Sequence, residues 1–118
     1  MAKLDIETFK DGDQIFTEGD QSTHMYFVKS GKLRVTKKGH DDKEIELGHI
    51  SPGELVGEIS YFDKRPRSAN VYSVGQSELA FIPADKFEKI FSDLPSWFQA
   101  LTHSLVKRIR RSDEDLCT

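Results

Sequence analysis

The chain reads as a mainly β protein, a small antiparallel barrel or jelly roll followed by two α-helices. Three observations point there. Short apolar alternations separated by turn residues recur through the first part of the 118 residues. All eight glycines fall between positions 12 and 75, where a backbone that reverses often needs positive φ or a tight turn. The last 43 residues contain no glycine and carry apolar residues at helical spacing instead.

The strands follow in order as QIF, HMYFV, KLRVTKK, EIELGHI, SANVYSV and ELAFI, with Gly19, Gly31, Gly39, Gly48, Gly53 and Gly75 between them. KSGK, Lys29 to Lys32, is the clearest hairpin turn. Closing a sheet of many short strands removes its exposed edges. After AFIP, Ala84 to Phe91 is expected to form a short helix with Phe87, Ile90 and Phe91 on one side, and Asp85 near its start suits the free N–H groups there. Asp93 and Pro95 open a second helix running to Arg111, about 25 Å long at the usual rise per residue. In it Trp97, Leu101, Leu105 and Ile109 form one apolar stripe, the pattern of core packing. Lys107, Arg108, Arg110 and Arg111 suit the negative end of its dipole, and the acidic SDEDL that follows marks a solvated helix end rather than a nucleic-acid patch. One domain over 1–118 is expected, its sheet spanning about 9–83 and its helical tail about 84–111.

Composition narrows the function. Hydrophobic content of 36%, charged content of 31% and a net charge of -3 fit a globular, cytoplasmic chain with no general pull toward nucleic acid or anionic membrane. No signal peptide or membrane-length apolar window is visible. Cys117 is the single cysteine, so an internal disulfide is excluded and no role is assigned to it. His24, His40, His49 and His103 never occur as HxH, HxxxH or HExxH, which leaves no metal-ligand pair and favours scattered surface or satisfied histidines. No G-x-S-x-G or G-K-[ST] occurs either. The expectation is no catalytic residue, no metal and no cofactor.

One stretch departs from structural filler: GELVGEISYFDKRPRSANV, Gly53 to Val71. A glycine-led turn running into the helical length EISYF aims several backbone N–H groups one way, a ready anion site. Nine residues after Glu58 comes Arg67, stiffened by Pro66 and followed by the small Ser68 and Ala69, which admit a ligand close to the backbone. An arginine fork grips two oxygens of one phosphate in a way lysine cannot. Glu58 is repelled by phosphate yet accepts hydrogen bonds from sugar hydroxyls. A ligand with both groups satisfies the pair.

The pattern G-E-x7-P-R-S-A, Gly57 through Ala69, resembles the phosphate-binding cassette of cyclic nucleotide-binding domains, found in catabolite activator proteins, kinase regulatory subunits and gated channels. FKDGDQIFTEGD, MYFVKSGKLRV and LGHISPGELVGE resemble that family's opening strand pair, central hairpin and approach to the cassette. The resemblance implies a β-roll with two C-terminal helices. It implies that Glu58 accepts the ribose 2′-hydroxyl and Arg67 pairs with the exocyclic phosphate oxygens. Backbone N–H groups near Ser60 and Ser68 complete the cradle, with Ile59 and Ala69 beside them and Gly57 allowing close approach. The base is expected against Leu47, Val56 and Val71. Guanine-favouring members often have threonine where Ser68 stands, so Ser68 points toward cyclic AMP, with cyclic GMP as the other ligand. The residues up to Thr118 include neither the long dimerisation helix nor the DNA-reading module of the bacterial activators, so direct transcriptional control is not expected of these residues alone.

Two readings from different classes stand. In the first, the chain is a cyclic nucleotide sensor that couples ligand capture to its C-terminal helices, with a protein effector as partner or a homodimer as its assembly. In the second, it is an interaction module with a vestigial pocket, and any Glu58–Arg67 contact is an ordinary loop ion pair.

Overall fold

Two long strands organise the molecule, and both are longer than the alternation in the sequence implies. The computed structural model describes residues 4–58 and 64–117. In chain order it contains β1 (Asp5–Phe9), β2 (Gln14–Phe16), β3 (His24–Lys38), β4 (Glu44–Ile50), β5 (Leu55–Val56), β6 (Asn70–Pro83), α1 (Ala84–Ser92) and α2 (Ser96–Cys117). Every strand pairing is antiparallel. β3 and β6 run side by side from His24 opposite Pro83 to Thr36 opposite Asn70. β1 and β2 pair with opposite halves of β6, while β5 and β4 pair with opposite halves of β3. The expected mainly β roll with two C-terminal helices is present.

KSGK is not a hairpin turn. Ser30 and Gly31 lie inside β3, and the register against β6 shifts between Val28 and Ser30 and again between Ser30 and Lys32. These are bulges, which bend a strand and increase its twist. SANVYSV and ELAFI are likewise two halves of the single strand β6. The misreading has a physical cause, because a bulge can demand glycine for the same reason a turn does. Gly31 has φ 93°, and a Cβ there would stand 2.6 Å from the Ser77 Cβ and 2.7 Å from the Gln76 carbonyl oxygen. Only glycine lets β3 and β6 approach this closely.

Alternation along these strands builds one core. Phe16, Tyr26, Val28, Leu33, Val56, Val71 and Leu79 form a buried cluster, with Phe9, Ile15, Val35, Ile50 and Phe81 packed against it. β1 begins at Asp5, ahead of the expected edge of the sheet, and pairs through Phe9 opposite Ser77.

α1 follows Pro83 directly, with Asp85 in its first turn. Phe91 is buried, and Phe87 stacks on it at a centroid distance of 5.5 Å. Ile90 is 65% exposed and does not share that face. At 3.6 residues per turn it lies well round the helix from its neighbour Phe91, whereas Phe87, four residues back, lies almost beneath. The Phe91 ring also meets His103 edge-on, tying α1 to α2.

α2 extends beyond the expected Arg111, and its apolar stripe is not core. Trp97, Leu101, Leu105 and Ile109 are 69%, 47%, 49% and 46% exposed. The inward face carries buried Val106 with half-buried Gln99 and Thr102. Helical periodicity reveals that a face is apolar without revealing what covers it.

Candidate functional site

The segment after β5 turns at Gly57 and enters helical conformation at Glu58, and the chain returns through Pro66 and Arg67 to start β6. Between these passages and the inner faces of β2, β3 and β4 lies a cavity of about 250 Å³. Leu47, Val56, Gly57, Glu58, Arg67, Ser68, Ala69 and Val71, all singled out from the sequence, line it together. Ile59 and Ser60 lie outside the described residues. Val56 and Val71 are core residues that present one side to the cavity, and Leu47, 53% exposed, stands at its rim.

Arg67 is the group around which the site is built. It is only 5% exposed, so its charge must be compensated locally. Nη1 donates to the Gly57 carbonyl at 2.9 Å, and Nη2 donates to the His24 carbonyl. The guanidinium lies over the Phe16 ring, 3.7 Å from its centroid. Its backbone is fixed as well, because the Arg67 N–H donates to the Asp20 carbonyl at 2.7 Å and the Gly19 N–H donates to the Arg67 carbonyl at 2.9 Å. The TEGD turn therefore clamps the residue that follows Pro66. Burial pushes the Arg67 pKa down, opposed by Tyr26, Asp20 and Glu58. A guanidinium keeps its proton regardless.

Gly57 is required by this arrangement on two counts. Its φ is 88°, and a Cβ would stand 2.5 Å from Arg67 Nη1 and 2.7 Å from the edge of the Phe16 ring. Glu58 is half-buried, and burial pushes its carboxyl pKa up; Glu54 adds to that rise and Arg67 opposes it. The ion pairs among the described residues do not include Glu58 with Arg67, so the loop ion pair is not what holds this segment. Both groups face one cavity separately.

Several contributors escaped the sequence. Phe16, Val35, Ile50, Glu54 and Leu55 also line the cavity. His24 is a satisfied histidine, half-buried, with Nδ1 3.0 Å from the Thr23 hydroxyl and its ring 5.0 Å from Phe81, 5.2 Å from Tyr26 and 5.4 Å from Phe16. Burial, and then the Arg67 charge, hold its pKa below the ordinary value, with Glu7 opposing. Phe16 and His24 carry no local signal, since they are ordinary strand residues that meet Arg67 only across long stretches of chain, 43 residues in the case of His24. The cavity thus has a cationic, hydrogen-bonding end at Arg67 and Gly57, a carboxylate at Glu58, and an apolar wall of valine, leucine and isoleucine. It suits a small ligand that is anionic at one end, rich in hydroxyls beside it and apolar at the other.

Comparison with known proteins agrees. The family model for the cyclic nucleotide-binding domain matches residues 6–93. The cyclic AMP receptor protein of Thermus thermophilus is 32% identical over 108 residues, covering 92% of this chain and 50% of that protein. The crystal structure of the Thermus thermophilus catabolite activator protein superposes with a TM-score of 0.79 at 31% identity, over 96% of this chain and 53% of that one. The cAMP-bound form of the EAL enzyme Bd1971 superposes with a TM-score of 0.85 at 27% identity, over 94% of this chain and 29% of that one. The chain spans about half the length of the bacterial regulators it matches and less of the other relatives. By sequence and by fold, the chain belongs to the cyclic nucleotide-binding domain family.

Proposed function

We propose that this chain is a regulatory sensor that captures a cyclic nucleotide, cyclic AMP, in the cavity beside Arg67. The observation that carries the reading is a nearly fully buried guanidinium satisfied by carbonyls rather than by a carboxylate, lining a cavity that also holds Glu58. A guanidinium has five N–H donors, and the two carbonyls take one each, so at most three remain for phosphate oxygens. Those oxygens receive Arg67 and the backbone N–H groups near Ser60 and Ser68, while Gly57 and Ala69 let them approach. Glu58 accepts the ribose 2′-hydroxyl, and its raised pKa expresses a burial penalty that a hydroxyl donor relieves. The base lies against Leu47, Val56 and Val71. A solved neighbour occurs in cAMP-bound and cGMP-bound forms, so the fold admits either base; Ser68 supports adenine here.

The chain acts as a binding module rather than an enzyme. Ligand capture shifts the C-terminal helices, and the exposed stripe of α2 supplies the surface for an effector or a second copy. Titration with cyclic AMP and cyclic GMP by calorimetry tests the reading. Saturable heat with cyclic AMP, weaker with cyclic GMP, is expected. No heat from either at high micromolar ligand would leave the vestigial-pocket module in its place.

A further inference from the structure

Phe16 comes from β2, a strand of three residues, and is 6% exposed. Two features separate it from an ordinary core phenylalanine. The Arg67 guanidinium carbon sits 3.7 Å from its ring centroid, well inside the roughly 6 Å range of cation–π attraction. The edge of the same ring is 2.7 Å from the point a Cβ on Gly57 would occupy, and Arg67 Nη1 is 2.5 Å from that point. Ring and glycine backbone therefore enclose the guanidinium in a slot. The carbonyls of Gly57 and His24 hold its two terminal nitrogens, which fixes rotation within its plane. The aromatic face fixes the tilt of that plane.

We propose that Phe16 is a positioning residue for anion recognition, a platform that holds the Arg67 fork oriented before any ligand arrives. This rests on the reading that Arg67 receives the cyclic phosphate. Leucine would fill much of the same core volume, but it offers no negative π face to a cation. On this proposal the stack is in place without nucleotide, and its contribution to affinity is pre-organisation. Without it a long, rotamer-rich side chain must be immobilised at the moment of binding, which weakens binding about three- to tenfold.

The test compares wild type, Phe16→Leu and Phe16→Tyr. Order of the Arg67 Nε–Hε group is measured by nitrogen relaxation without nucleotide, and the dissociation constant for cyclic AMP by calorimetry. Phe16→Leu is expected to loosen Nε–Hε and weaken cyclic AMP about three- to tenfold, with Phe16→Tyr restoring both. If Leu fails to fold, Phe16→Met replaces it with the same expectation. Nε–Hε as ordered in the Leu variant as in wild type, or a Tyr variant as impaired as Leu, overturns the proposal: Phe16 is then only a wall of the pocket. Wild type that binds no cyclic AMP while its Nε–Hε depends on the ring would uphold the platform and remove the nucleotide reading instead.

Discussion

Gly57→Ala separates the two demands this position meets, because Gly53 provides a control with one of them alone. Both glycines hold left-handed backbone, φ 88° at Gly57 and 91° at Gly53. A Cβ at Gly53 meets nothing within 4 Å, whereas at Gly57 it would intrude on Arg67 Nη1 at 2.5 Å and on two atoms of the Phe16 ring at 2.7 and 2.9 Å. An L side chain in left-handed backbone costs about 1–2 kcal/mol, so both alanine variants should lose about that much stability in urea denaturation. Only Gly57→Ala must also displace the guanidinium and the edge of the Phe16 ring, the two side chains that meet there. Truncating one partner of a buried charged contact costs about 2–5 kcal/mol; displacement should reach the lower end, about thirtyfold in the dissociation constant for cyclic AMP. Calorimetry on both variants reads this directly. The reasoning is refuted if Gly57→Ala binds as tightly as wild type, or if Gly53→Ala loses as much affinity as Gly57→Ala.

Arg67→Ala should weaken cyclic AMP by about 2–5 kcal/mol, and Arg67→Lys should rescue little of it, since an ammonium cannot reproduce the planar fork over Phe16; isothermal titration of the two variants checks the ranking. Glu58→Gln should weaken the parent nucleotide more than its 2′-deoxy analogue, and equal losses on both would remove the proposed sugar contact. In the empty domain the same variant should be more stable than wild type at neutral pH. The Glu58 pKa is raised in the folded state by burial, so the folded protein binds more protons than the unfolded one and stability falls as pH climbs above the ordinary value of 4.5. The gain from Gln should vanish below that value in denaturation curves. His24 has the opposite sign: its pKa is lowered in the folded state, so wild-type stability should drop as pH falls below 6.5, a slope that His24→Phe should remove.

The parts of the site that sequence alone revealed are those encoded within one short segment. Gly57, Glu58, Arg67, Ser68 and Ala69 sit on one loop, where spacing and residue chemistry already imply a cradle. Phe16 and His24 were invisible because their role is conferred by distance in the chain. Nothing in QIF or HMYFV distinguishes a ring under a guanidinium from a ring in any core, and a backbone carbonyl acceptor has no residue-type signature at all. The fold shows the same division. Strand content and the two helices followed from alternation and glycine placement, but Gly31 looks identical to a turn glycine until the strand beside it is known. The stripe of α2 misled for a related reason, since amphipathicity predicts an apolar face and is silent about its neighbour.

Charge balance in the cavity favours the kind of ligand it would accept. Arg67 is buried against neutral carbonyl dipoles, which solvate a cation without cancelling its charge, and the carboxylates that act on it, Asp20 and Glu58, do so without an ion pair in the described structure. The Arg67 end therefore keeps an unneutralised positive charge at low exposure, and an anion entering there gains more than it would from a guanidinium in water. The opposite holds at Glu58, where burial and the nearby Glu54 already disfavour the carboxylate. A phosphate monoester carries close to two negative charges at neutral pH, so its second charge would meet these carboxylates with no second cation among the described lining residues. A cyclic phosphodiester brings a single charge for the single arginine and leaves its sugar hydroxyl to donate to Glu58. Under the proposed reading, selectivity for the cyclic over the open phosphate follows from one buried guanidinium and the two lining carboxylates, Glu54 and Glu58, before any contact with the base is considered.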